Sequence, residues 1–438
     1  MGDSQNPNLP VSGSANSIRG HCPSQTTADR IRVQFENRQR QPELAQDLSC
    51  FRPGGELHSL RFIAHPHGLH VARWLQILSH TQAHVTIDTA NPVPAFANDF
   101  VAAYPLVSRS WKLPMLLRYF LGGLALRFLD RRDKTTIAHA HCASGNGFVA
   151  WLSGQRYTIG CYGSEILGAK QRGPLYCWLL KQILHGAERV SAFSTETGNV
   201  VVKQFGVPAE RVYCFHLGYD DVTFCPLNSE QRRHLRVQRN LPVNEPIWVV
   251  NRRTHPHYRT LEVVQGFLDY CQLSDRGRLV ILCGDCDPNY TNLICQRIEQ
   301  HECGHRITVV KEMLNWKELA SWLQLSDFSI SVPRTDGFSI STLESLGCAT
   351  VPILADLAAY DKLRPCRAIR WISLFEPSDF TDIFADTQST WSADNERHRT
   401  ECLQFVKNGF STEGAIRDIA AFYLGHPRQV DIAAQRAA

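Results

Sequence analysis

"FSISVPRTDGFSISTLESLGCATVPIL", residues 328–354, decides how the rest of the chain is read. It opens on an apolar run of strand length, "FSISVPR", and closes on a second, "ATVPIL". Between them "DGFSISTLESLG" gives a loop and then apolar residues at helical spacing. Strand, loop, helix and strand in one short stretch form the repeating unit of a parallel sheet with right-handed crossovers. Ligands of such sheets lie at the carboxyl ends of the strands, which here means residues 334–339. The amides near Gly337, Phe338, Ser339 and Ile340 then head a helix whose partial positive charge suits phosphate oxygens. Asp336, in the loop, can reach sugar hydroxyls. Glu344, in the first turns of the helix, can rotate toward the cleft and accept from a ribose. A plainer reading has Asp336 or Thr335 merely capping the helix and Glu344 in solvent.

Working outward, the alternation repeats. "LRFIAHPHGLHVARWLQILS" reads as strand, loop and helix, and "HVTIDTA" as the next strand. "TTIAHAHCASGNGFVAWLSG", "YTIGCYGSEIL" and "AERVSAFSTETGNVVVKQFG" continue the pattern. A break falls near "GYDDVTFCPLNSEQRRHLRVQRNLP", after which "PIWVVNRRTHPHYRTLEVVQGFLDYC", "RLVILCGDC" and "RITVVKEM" resume it. The expected fold class is α/β, with two doubly wound parallel-sheet (Rossmann-like) domains facing a cleft. Residues 1–56, rich in Ser, Gln, Asn, Pro and Gly, read as a disordered tail. The N-terminal domain is expected over 57–226 and the C-terminal domain over 227–405. A final helical segment, 406–438, is placed to return to the first domain.

At 438 residues the chain exceeds one typical core. Its net charge of +4 is too small to argue for nucleic acid, yet leaves room for a local basic patch on an anionic surface. The 15 cysteines are scattered, and the polar N-terminus shows no signal-peptide pattern, so a reducing cytosol is expected. Cys283 and Cys286 in "CGDC", with Cys295, Cys303 and His305 beyond, lack a second well-spaced pair for zinc. They read as free thiols, and no metal is expected. No window approaches the roughly 20 apolar residues of a membrane span. "SRSWKLPMLLRYFLGGLALRFLDRRDK", residues 108–134, mixes aromatic and basic residues as a segment lying on an anionic membrane would. Packing of its apolar face on the sheet, with solvated arginines, reads equally well. A peripheral place on the inner face of a membrane therefore stands beside a purely cytoplasmic one.

The pattern "DGFSISTLE" followed by "SLGCATVPI" resembles the signature of the large group 1 family of retaining GT-B glycosyltransferases, with Asp336 in place of the usual first Glu. "HAHCASGNG", "GCYGSEIL", "VVNRR" and "TLEVVQGF" extend the resemblance over roughly residues 60 to 425. The resemblance implies that Glu344 binds the nucleotide ribose, that Asp336 binds the transferred sugar, and that the amides after it meet the diphosphate. It makes Arg253 the arginine that offsets charge on the leaving diphosphate, and Gly68 part of the glycine loop the donor approaches. Two positions depart from the family pattern. Tyr258 stands where many members carry lysine, with Arg259 beside it as a second source of charge. Tyr162 stands where a histidine is usual, and His141 or Glu165 is then left to cover that function. A lone histidine among 18 is more often structural.

The implied activity is transfer of a sugar, with retention, from a nucleotide diphosphate donor to a hydroxyl of a glycan or lipid-linked acceptor. The nucleotide sugar is a co-substrate. No cofactor is expected, because helix amides and basic side chains offset the diphosphate charge. A nucleotide-sugar epimerase or phosphorylase on the same fold, and a catalytically silent nucleotide-binding protein, are the rival readings.

Overall fold

The computed structural model describes residues 48–426 apart from 99, 129–136 and 285. Most of the expected tail, 1–47, therefore lies outside the described residues. The end of that stretch packs. Leu48 and Phe51, flanking and closing a 3-10 turn at Ser49–Phe51, are buried in the first domain's core. The polar composition around them conceals two apolar anchors.

The first sheet contains β1 (Ser59–Ile63), β2 (His84–Thr89), β3 (Phe96–Ala97), β4 (Val101–Pro105), β5 (Ala138–His141), β6 (Tyr157–Cys161), β7 (Arg189–Ala192) and β8 (Val212–Cys214). Their order is β3-β4-β2-β1-β5-β6-β7-β8, parallel throughout except for β3 at the edge. The second sheet contains β9 (Ile247–Val250), β10 (Arg278–Leu282), β11 (Ile307–Val310), β12 (Phe328–Ser331), β13 (Val351–Ala355) and β14 (Arg370–Ile372). Its order is β11-β10-β9-β12-β13-β14, and each neighbouring pair is parallel. Helices cover both faces of such sheets, so a central strand is buried on each side and reads as a continuous apolar run. "IWVV" of β9 is buried at every residue for that reason.

Strand order fixes where ligands go. In the first sheet the chain winds outward from β1 and then returns to lay β5 on its other side. In the second it does the same at β9 and β12. Each pair leaves a crevice beyond its carboxyl ends, where the following loops part in opposite directions. The two crevices face one another, since the loop after β6 touches the loop after β12.

The domains are tied together twice. A strap from Phe215 to Leu227 leads into the helix Ser229–Gln238. The helix Pro377–Gly409 then carries the chain back, and Thr412–Leu424 inserts Ile416, Ile419 and Phe422 into the first domain's core. Thr412 Oγ1 donates to the Tyr219 carbonyl at 3.0 Å, joining the strap to the returning helix.

Candidate functional site

The end of β9 grips the loop after β12. Asn251 Nδ2 donates to the Ser341 carbonyl at 3.1 Å and to Ser345 Oγ at 3.0 Å. His257 Nε2 donates to the Thr335 carbonyl at 2.7 Å, and the Arg334 amide donates to the His257 carbonyl at 2.8 Å. Adjacent parallel strands make this possible, because their following loops start side by side.

Asp336 is the centre of the resulting cluster. Its Oδ2 accepts from Arg252 Nη1 at 3.1 Å and from the Tyr360 hydroxyl at 2.7 Å. Its Oδ1 accepts from the Gly337 amide at 2.9 Å. Ser339 caps the helix Ile340–Gly347, its Oγ accepting from the Thr342 amide at 3.2 Å and from Arg252 Nη1 at 2.8 Å. The plainer reading of the cap is thus assigned to Ser339, which leaves Asp336 facing the cleft. The amides of Phe338, Ser339 and Ile340 have no acceptor among the described residues. They form an open donor set at a helix start.

Arg252, next to the Arg253 expected from the sequence, reaches this cluster. It is half-buried, with its guanidinium carbon 4.6 Å from the Tyr258 ring centroid. Burial alone would lower its pKa, but Asp336, Tyr360 and Tyr258 outweigh that and raise it. Arg253 is exposed, 5.8 Å from the same ring centroid. Tyr258 thus serves as a platform for Arg252. Arg259 takes a left-handed φ of 53°, donates from Nη1 to the Val332 carbonyl at 2.9 Å, and lies 3.7 Å over the Phe375 ring. Phe338 stacks on His216 at 3.9 Å, so its side chain packs the domain junction.

Glu344 lies just over one turn into the helix Ile340–Gly347 and is half-buried. Burial pushes its carboxyl up to about 7, with Arg73 and Arg252 pulling it down and Asp220 pushing it further up. The folded protein therefore holds this proton to a higher pH than the unfolded chain does, and loses stability as pH rises from the ordinary carboxyl range to about 7. Glu344→Gln, neutral at every pH, should gain melting temperature relative to the wild type across that window. A difference in melting temperature that stays flat between pH 4.5 and 8 would contradict the assignment.

The opposite wall comes from the first domain. Gly68, with φ −69° and ψ 137°, starts the helix Leu69–Leu78 after β1 in ordinary extended backbone. His141 and Glu165 both hold Tyr162. His141 Nδ1 shares a 2.7 Å hydrogen bond with the Tyr162 hydroxyl, and Glu165 Oε1 accepts from the Tyr162 amide at 2.7 Å. Both are buried, and burial drives the His141 pKa well down and the Glu165 pKa up. The domains meet at Gly163 and Gly337. A Cβ on Gly337 would lie 2.0 Å from the Tyr162 carbonyl oxygen, and one on Gly163, whose φ is +120°, 2.7 Å from the Gly337 Cα. Only paired glycines allow this approach. Among the described residues no three His, Cys, Asp or Glu side chains gather as a metal set.

No family model matches this sequence, and no curated protein matches it. Solved structures do match the fold. Sucrose-phosphate synthase from Thermosynechococcus elongatus superimposes with a TM-score of 0.68 at 16% identity, covering 86% of this chain and 100% of that one. HepE of Anabaena, in a complex with UDP, gives 0.66 at 12% identity over 83% of this chain and 98% of its own. An α,α-trehalose-phosphate synthase (UDP-forming) from Burkholderia vietnamiensis gives 0.64 at 12% identity, over 83% and 96%. The architecture is the two-domain GT-B fold that these structures share.

Proposed function

We propose that this chain is a glycosyltransferase that takes a sugar from a nucleotide diphosphate donor and passes it, with retention, to a hydroxyl of a glycan or lipid-linked acceptor. The observation that carries the reading is the Arg252–Asp336–Ser339 cluster at the mouth of an open helix start, placed at the switch point of one sheet and facing that of the other. The open amides and Arg252 suit the diphosphate, whose leaving oxygen gains charge as the sugar departs. Asp336 takes hydroxyls of the sugar and Glu344 those of the ribose. His141 and Glu165 act as positioning residues through Tyr162. The complexes of HepE with UDP and UDP-glucose support a donor of that class. Nucleotide release measured with and without glycan acceptors tests the proposal. Acceptor-dependent release supports transfer, whereas release of an altered free sugar, or a need for phosphate, favours the epimerase or phosphorylase reading.

We propose further that the N-terminal domain lies on an anionic membrane surface. The helix Met115–Phe128 exposes Leu116 (82%), Phe120 (43%) and Phe128 (73%). The helix Pro174–Gly186, packed on the same neighbour, exposes Leu175 (75%) and Trp178 (56%). Arg109, Lys112 and Arg127, in and just before the first of these helices, are exposed, while Arg131 and Arg132 lie outside the described residues. Arg118 takes no part in it. It is buried and donates to the carbonyls of Ala90, Val107, Ser108 and Trp111, which makes it an internal strut. Among the described residues no helix is long and apolar enough to cross a membrane. Co-sedimentation with anionic vesicles at low salt is expected, with loss of binding when Leu116, Phe120 and Trp178 become Ser. Wild-type protein left in the supernatant would overturn this part of the proposal.

A further inference from the structure

The first turn of the helix Leu69–Leu78 faces the donor-side cluster across the cleft. His70 lies flat on Tyr162, with ring centroids 3.8 Å apart and planes 12° apart. Tyr162 is itself immobilised by the His141 and Glu165 hydrogen bonds and by stacking on Phe193 at 4.9 Å. The imidazole is therefore oriented. Its two nitrogens nevertheless have no hydrogen-bond partner among the described residues.

The charge of Asp336 reaches this ring from the other domain, but the surrounding protein outweighs it and lowers the His70 pKa to about 4. A helix N-terminus opposes a cation as well. Near neutral pH the ring is uncharged, with one N–H and one lone pair to offer. That pairing suits a hydroxyl better than a phosphate, which needs donors only. Arg73 follows three residues later on the same helix face. It is buried, spends Nη1 on Gln76 Oε1 at 2.5 Å, and leaves Nε and Nη2 without a partner among the described residues. Its charge falls on Glu344 and Asp220. One helix face thus sets His70 toward Asp336 and Arg73 toward Glu344, in the sugar-then-ribose order proposed for the other wall.

We infer that His70 hydrogen-bonds a hydroxyl of the sugar being transferred, so that the N-terminal domain reads the sugar end of the donor. This rests on the donor reading above, and the two are separable. UDP-glucose and UDP are titrated calorimetrically into the wild type, His70→Ala and His70→Gln, with the GDP and ADP pairs run in parallel. The pair that the wild type binds is the one compared. His70→Ala should weaken the nucleotide sugar by roughly tenfold and leave the free nucleotide unchanged, as loss of one hydrogen bond predicts. His70→Gln, which keeps a donor and an acceptor, should recover part of the loss. Equal weakening of sugar-bearing and free nucleotide, or no weakening of either, overturns the role of His70 while the donor reading stands. A wild type that binds none of the three pairs overturns both. Tyr162→Phe keeps the stacked ring but removes the tie to His141, and should loosen the nucleotide sugar alone.

Discussion

Arg252→Ala is expected to lower sugar-transfer turnover by about a hundredfold or more and to leave the protein folded. The loss of one preorganised charge at a leaving group typically raises the barrier by about 3 to 4 kcal/mol. Arg252 is set for that role by Asp336, Ser339 and the Tyr258 ring, which fix its fork without enclosing it. Asp336 keeps the Tyr360 hydroxyl and the Gly337 amide in the variant, so the loop survives the change. The same substitution at Arg253, which is exposed and lies farther from the Tyr258 ring, is the comparison, and the account expects a smaller loss there than at Arg252. If Arg253→Ala lost turnover and Arg252→Ala did not, the sequence assignment would replace the geometric one.

The largest stability effect is expected far from the cleft, at Asp327. This carboxylate is fully buried at the start of β12, next to the helix Ser229–Gln238. It accepts from Arg232 Nη2 at 2.5 Å, Arg236 Nη2 at 2.7 Å, the Ile247 amide at 2.8 Å and Asn395 Nδ2 at 3.1 Å. Burial alone would raise its pKa, but Arg232 and Arg236 hold it well below the carboxylate range. Its stabilisation is therefore complete above the unfolded-state pKa and is lost only as pH falls through the depressed folded value. Asp327→Ala leaves two guanidiniums facing each other without an anion. Removing one partner of a buried ion pair costs about 3 to 5 kcal/mol. Calorimetric melting at pH 7 measures it, and a melting temperature within a degree of wild type would refute the account of this cluster.

Five strands of each sheet, β1, β2, β5, β6 and β7 and then β9 to β13, were legible as short apolar runs followed by helical spacing, whereas β3, β4, β8 and β14 were not read as strands. The places of Asp336 past the end of β12 and of Glu344 in the helix that follows were legible because the punctuation between "FSISVPR" and "ATVPIL" leaves only one place for a strand end and a helix start. The adjacent arginines were harder. Both guanidiniums lie near the Tyr258 ring, at 4.6 and 5.8 Å from its centroid, so which of the two meets Asp336 depends on how the loop after β12 packs beside the end of β9. His70 and Arg73 gave no signal at all, since their meaning depends on how the other domain packs across the cleft. Arg118 misled for a related reason. Its partners are loop carbonyls, and no side-chain pattern records where carbonyls converge.

The central claim is that a nucleotide sugar occupies the cleft between Asp336, Arg252 and Glu344. Calorimetric titration of UDP-, GDP- and ADP-glucose into the wild type and into Glu344→Ala tests it most directly. The account predicts that one of the three binds at one site per chain, and that Glu344→Ala weakens that nucleotide sugar and its free nucleotide alike, by roughly tenfold for a charge-assisted contact. No binding by the wild type, or binding that Glu344→Ala leaves unchanged, would contradict it.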